Sequence, residues 1–159
     1  MNVGHEVLMK ACDCEEIGPD VFRIQLSAYG ETAPSYHAGQ YLRLLLADGS
    51  MKSYSIASAP ESGVIELQVL APRNKGSERP TLDYFLRSSW LQCRMPYGTC
   101  RLPEGDDAVL MIAGGTGIAQ MKSMIDSSIA KNEQREIWLY WGGKHRDSLY
   151  LHDELHSIS

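Results

Sequence analysis

Two short stretches hold the residue types that nucleotide chemistry needs. The first is "MIAGGTGIAQ", residues 111–120, in which Gly114, Gly115, Thr116 and Gly117 follow an apolar run and open onto a helical pattern. Missing side chains let a ligand approach the backbone. A helix beginning near Ile118 aims free amides and its positive dipole end at a phosphate or carboxamide. Direct counting excludes the two common templates. The phosphate loop needs a lysine after its last glycine, where Ile118 stands. The dinucleotide fingerprint started at Gly115 meets Gln120 in place of its third glycine, and no acidic residue closes the next strand, which ends in Trp141-Gly142-Gly143. On this stretch alone, a tight strand-to-helix turn with no ligand stays open.

The second stretch is "KSYSIAS", residues 52–58. On a strand, Tyr54 and Ser55 leave opposite faces unless the chain bends. Tyr54 then offers a flat ring to a planar ligand, Ser55 a hydrogen-bond donor, and Lys52 a positive charge for an anionic tail. The alternative is an ordinary strand with a packed tyrosine. A third stretch, "HDELH" at 152–156, spaces His152 and His156 as in helical zinc peptidase motifs. It carries Asp153 where those motifs carry Glu, and it reads as a solvent-facing helix start with no metal.

These residues need elements to position them. Residues 5 to about 101 read as six short strands, "HEVLMKAC", "DVFRIQLSA", "QYLRLLLA", "KSYSIAS", "VIELQVLA" and "QCRMP", separated by turn signals such as Gly18-Pro19-Asp20 and Asp48-Gly49-Ser50. A small closed antiparallel barrel would remove the exposed edges of such a sheet. One helical segment, "TLDYFLRSS", interrupts it, preceded by Gly76-Ser77 and Pro80. After "LPEGDD" the pattern changes to apolar strand, helix, apolar strand and helix, which predicts parallel pairing. The expected domains are therefore 1–103, a six-stranded antiparallel barrel, and 104–159, the first half of a parallel-sheet α/β domain. Two parallel strands make a poor sheet, so the chain reads as truncated at its C-terminus, with an exposed apolar edge prone to association.

Composition narrows the partners. With 43% hydrophobic and 22% charged residues among 159, the chain has enough apolar material for a core. A net charge of −5 with no basic run argues against nucleic acid and anionic membranes. No signal segment and no long apolar run is seen, which predicts a cytoplasmic protein. Cys12, Cys14, Cys93 and Cys100 match no common zinc or iron–sulfur spacing and read as reduced packing residues, with Cys12 and Cys14 on one strand face.

Taken together, "HAGQYL", "SYSIASAP", "MPYG", "IAGGTGIAQM" and "LYWGGKHRDSLYLHDEL" resemble the ferredoxin-reductase family, and most of all its NAD(P)H:flavin reductase branch, which lacks an iron–sulfur domain. The resemblance runs from about His5 to the end of the chain. It implies a flavin-binding barrel (FAD, FMN or riboflavin, prosthetic or loosely bound as substrate) joined to an NAD(P)-binding domain, with hydride passing from NAD(P)H to flavin. By the same resemblance Tyr54 packs on the isoalloxazine, Ser55 bonds its central nitrogen as the catalytic group, and Lys52, Gly76 and Ser77 hold the remainder of the flavin. Gly114, Gly115, Thr116 and Gly117 take the nicotinamide nucleotide, and Gly142 and Gly143 leave room for its adenosine half. Lys144 and Arg146 meet a ribose phosphate or are solvated loop charges. Lys52 replaces the family's usual arginine, trading a planar fork for a point charge and suggesting a loosely held flavin phosphate. Two other functions stay open: the flavin-bearing reductase component of an oxygenase, with that oxygenase as acceptor, and a noncatalytic flavin-binding or interaction module.

Overall fold

β-Branched and alternating apolar residues run through the first hundred positions, and they form strands wherever one face meets a common core. The computed structural model describes residues 4–30, 34–73 and 78–158, except the side chains of 78–80. Its first part contains β1 (His5–Gly18), β2 (Val21–Ala28), β3 (Tyr41–Leu45), β4 (Met51–Ser55), β5 (Ile65–Leu70), α1 (Glu78–Arg87) and β6 (Leu91–Tyr97). The strands form one antiparallel sheet in the order β4-β3-β6-β1-β2-β5. The sheet curls until its end strands meet. Ile56, just past β4, bridges Leu67 of β5, and the Ala57 amide donates to the Glu66 carbonyl at 2.7 Å.

Inside this barrel Met9, Ile24, Leu42, Leu44, Leu67 and Leu91 have no exposed surface. Each such side chain contributes about 1.5–3 kcal/mol on burial. Leu82 and Phe85 of α1 pack into the same core, so the helix closes the barrel rather than merely connecting strands. The expected helix, 81–89, lies about three residues later at its start.

The second part consists of β7 (Val109–Gly114), α2 (Ile118–Ala130), β8 (Ile137–Gly142) and α3 (His152–His156). β7 and β8 pair in parallel, Val109 with Ile137 through to Gly114 with Gly142. One face of this sheet, carrying Met111 and Leu139, packs on Met124 and Ile125 of α2. The opposite face leaves Leu110, Ile112, Trp138 and Tyr140 largely exposed. No helix among the described residues is long and apolar enough to cross a membrane.

α2 is buried on two sides. Its apolar residues meet the sheet, while Gln120 and Ser123 bond the barrel: Gln120 Nε2 donates to the Gly39 carbonyl, and Ser123 Oγ to the Ser58 carbonyl at 2.6 Å. This explains why polar residues interrupt an otherwise apolar helix.

The cysteines of β1 depart from the expected arrangement. Cys12 and Cys14 do not share a face, because a bulge at Cys12 inserts an unpaired residue between Ala11 and Asp13. The parity shifts, so Cys14 packs against the core while exposed Cys12 donates its thiol to the Gln25 carbonyl.

Candidate functional site

On antiparallel strands, directly paired residues share a face. Lys52 pairs with Leu44 and Tyr54 with Leu42, whereas Ser55 pairs with Tyr41. Tyr54 and Ser55 therefore leave opposite faces, as their adjacency predicts. The Tyr54 ring packs beside the barrel core with Phe85 edge-on at 5.5 Å. Lys52 Nζ donates to Thr81 Oγ1 of α1 at 2.9 Å. These two contacts bring β4 and α1 together around an open cleft of about 530 Å³, lined by Leu46, Asp48, Ser50, Lys52, Thr81 and Tyr84. The Ser50 hydroxyl and amide hold the Asp48 carboxyl below its usual range, so Asp48 sets a negative charge beside the ammonium. Gly76 and Ser77, expected near here, lie outside the described residues.

Ser55 belongs to an aromatic and cationic outer face. Its partner Tyr41 stacks on Tyr97 with ring centroids 5.6 Å apart, and the Arg43 guanidinium lies 4.5 Å from the centre of the Tyr97 ring. The "MPYG" stretch frames that face: Gln40 Nε2 donates to the Gly98 carbonyl at 2.7 Å, and the Tyr41 ring lies where a side chain on Gly98 would begin.

At the C-terminal end of β7 the chain makes one turn of 3-10 helix, Gly115–Gly117, and runs directly into α2. Gly115 takes φ +51, in the left-handed region that favours glycine. Side chains built on Gly114, Gly115 or Gly117 would meet nothing within 4 Å. The protein's own packing therefore does not require small residues there, and the turn is a backbone-walled cradle at a helix N-terminus, suited to an anionic or amide-bearing ligand. Gly142, paired with Gly114, is similarly open. Gly143 differs: a side chain on it would lie 2.5 Å from Ser148 Oγ, so local packing alone explains that glycine. Lys144 and Arg146 are exposed.

Two connections bring the strand-55 and glycine-turn regions together. Ile56 bridges β5, and β5 contacts the glycine turn. Ser58, three residues or roughly 10 Å of extended chain beyond Ser55, holds α2 through Ser123. Ser58 is a hub that its sequence context does not announce. Its hydroxyl donates to the Val64 carbonyl and accepts from the Glu66 amide, and its carbonyl also accepts from the Tyr36 hydroxyl at 3.1 Å. Burial, partly offset by the Ser58 bond, pushes the Tyr36 phenol up to about 12, so it stays a neutral donor. His152 and His156 are exposed with parallel rings 6.0 Å apart, and no cluster of three metal-ligating side chains occurs among the described residues.

A curled antiparallel barrel followed by a parallel sheet with its helix is the fold of solved reductases that superimpose on this chain. The family model for the oxidoreductase NAD-binding domain matches residues 111–159. An NAD(P)H-flavin reductase of Aliivibrio fischeri is 32% identical over 157 residues, covering 94% of this chain and 66% of the relative. Reductase component 1 of a terephthalate 1,2-dioxygenase from Comamonas sp is 36% identical over 136 residues, covering 84% of this chain and 40% of the relative. The crystal structure of an Amycolatopsis cytochrome P450 reductase superimposes with a TM-score of 0.81 at 25% identity, covering 97% of this chain and 48% of that one. The chain belongs to the ferredoxin–NADP reductase-like superfamily. It spans between 39% and 66% of the length of these curated relatives and of a 39%-covered dehydrase reductase from Yersinia pestis.

Proposed function

We propose that the protein is a flavin reductase-type oxidoreductase, in which residues 1–103 bind the flavin and residues 104–159 begin the NAD(P)H site. The observation that carries this reading is the glycine cradle, open on Gly114, Gly115 and Gly117 and joined through β5 to the strand that bears Ser55. NAD(P)H supplies a hydride and the flavin accepts it; the protein aligns them. Effective transfer needs reacting atoms about 3–3.5 Å apart. In this reading Ser55 donates to the flavin's reacting edge, Tyr54 borders its ring, Lys52 with Gly76 and Ser77 takes its polar tail, and Thr116 sits at the nicotinamide end of the turn. Gly142 leaves room for the adenosine half, and Gly143 adjoins it.

Lys52 and Asp48, of opposite charge, line one cleft, which leaves little net positive charge for a phosphate. That supports a flavin bound loosely enough to exchange, as a substrate rather than a fixed group. The setting we propose is cytoplasmic. A second reading, electron delivery to an oxygenase partner, is favoured by the 36% identity to the dioxygenase reductase component.

The test is a fluorescence titration of the purified protein with riboflavin, FMN and FAD, followed by addition of NADH or NADPH. Quenching and nucleotide oxidation that depends on added flavin are expected. A yellow protein that keeps its flavin through gel filtration would favour the oxygenase-reductase reading. No quenching by any of the three flavins would refute both.

A further inference from the structure

One chain of contacts crosses from the glycine turn into the barrel without passing through α2. The carbonyl of Gly115, the left-handed residue of the turn, accepts a hydrogen bond from Trp141 Nε1 at 2.9 Å. The Trp141 ring meets Tyr150 edge-on, with centroids 5.2 Å apart and planes at 87°. Tyr150 in turn donates its hydroxyl to Gln68 Oε1 on β5 at 2.8 Å. Gln68 is buried, and its chain neighbour Leu67 bridges Ile56, the residue after Ser55.

The end of β1 is shaped to receive this link. A bulge at Ile17, between Glu16 and Gly18, turns that side chain toward Ala113, Ile118 and Leu151 beside the glycine turn. A side chain on Gly18 would start 2.5 Å from Tyr150 Cβ, so Gly18 is a socket for the tyrosine. Burial and the Glu66 carboxylate push the Tyr150 phenol above its usual range and keep it a donor.

We propose that Trp141 and Tyr150 are positioning residues that fix the glycine turn relative to the Ser55 strand, setting the distance between nicotinamide and flavin. This rests on the reductase reading above. The consequence is specific. Trp141 touches the turn through the backbone carbonyl of Gly115, so its loss should disturb where the nucleotide sits more than whether flavin binds. Tyr150 touches neither ligand cradle, yet its loss should act in the same direction.

Trp141→Phe removes the indole donor and keeps an aromatic ring; Tyr150→Phe removes only the hydroxyl. In the full-length protein, each should slow NAD(P)H-dependent flavin reduction about 3- to 10-fold, the size of one neutral hydrogen bond. The KM for flavin should stay unchanged while the KM for NAD(P)H rises. Independently of activity, hydrogen exchange of the peptide spanning residues 111–120 should quicken in both variants, while β2 keeps its wild-type protection. Wild-type exchange of that peptide in both variants would overturn the relay. An inactive wild-type protein would instead defeat the reductase reading, and the exchange result would still decide the relay. Gly18→Ala gives a third arm from the far end, because crowding Tyr150 should reproduce the Tyr150→Phe pattern. Faster exchange throughout the barrel in all three variants would overturn the proposal in favour of general loosening.

Discussion

In the barrel Ile24, Leu42 and Phe85 have no exposed surface, whereas on the β7–β8 sheet Ile112 and Tyr140 keep 70% and 62% of theirs. Both regions are built from apolar strands, and the difference lies in closure. The barrel strands pair around to Ile56 and Leu67, and α1 covers the interior. The two parallel strands have α2 on one face and nothing described on the other. The barrel, the proposed flavin side, thus holds its shape by its own packing. The glycine turn, the proposed nucleotide side, depends on neighbours: α2, the end of β1, and Trp141. In the proposed reaction, a self-supporting flavin side and a dependent nucleotide side would suit a step in which one ring must be brought onto the other.

The contrast should be largest in stability. Phe85→Ala empties a buried site and is expected to cost about 3–5 kcal/mol, whereas Ile112→Thr on the open face should change stability by no more than about 0.5 kcal/mol. Urea melts of the two variants measure this. Equal losses would mean that the face is covered in the intact protein and that the two regions are equally finished.

Activity should then separate the regions by kinetic constant. Ser55→Ala is expected to lower turnover roughly 10- to 1000-fold, as when one aligned donor is removed from a reacting centre, with the melting curve unchanged. Unaltered turnover would take Ser55 out of the reaction. Gly115→Val should raise the KM for NAD(P)H far more than that for flavin. It forces a branched residue into the left-handed region, at about 1–2 kcal/mol, and fills the cradle. Equal effects on both substrates would point to misfolding instead.

The smallest effect concerns the charged cluster that joins α2 to α3 beside the barrel. Burial pushes the Lys122 ammonium down, but Asp126 at 2.6 Å, with Glu66 and Glu154 nearby, outweighs it and leaves the group above the ordinary lysine value. Folding therefore favours the protonated form. Its stabilisation is full below the unfolded lysine value, about 10.4, and is lost as pH rises through the folded value. Lys122→Gln should accordingly be less stable than wild type near neutrality, and the gap should narrow in strongly alkaline solution. A gap independent of pH would assign the effect to packing.

Much of this was legible in the residues. Alternation in "DVFRIQLSA" and "QYLRLLLA" announced strands because each buries one face, and "AVLMIAG" before the glycines announced a parallel strand opening a helix. The glycines of that turn were legible as room for a ligand, but which of them is left-handed was not: Gly115 is, while Gly114 and Gly117 are not. What stayed hidden depends on distant partners. The Cys12 bulge arises from register against β2, which no local pattern records, and it overturned the shared face expected for Cys12 and Cys14. β1 runs to Gly18, well past "HEVLMKAC", because pairing with β2 carries polar residues such as Glu15 and Glu16. Ser58, Gln120 and Tyr150 look like ordinary surface polar residues until the fold sets the Ser123 hydroxyl, the Gly39 carbonyl and the Gln68 amide against them. Lys52 was legible as a cation, but its bond to Thr81 and the opposing Asp48 were not.

The barrel has a seam. Among the described residues, five of its strand contacts are ladders of several paired residues, but the sixth is a single bridge, Ile56 to Leu67, extended by the Ala57–Glu66 bond and by the Ser58 hydroxyl held between Val64 and Glu66. Ser55 stands one residue to one side of that seam and Gln68 one residue to the other. A cylinder closed along one line by a single bridge and one serine depends on those few residues, and their loss would part the proposed hydride-receiving edge from the strand that contacts the glycine turn. The barrel's shortest seam and the proposed working distance of its chemistry are therefore set by the same few residues.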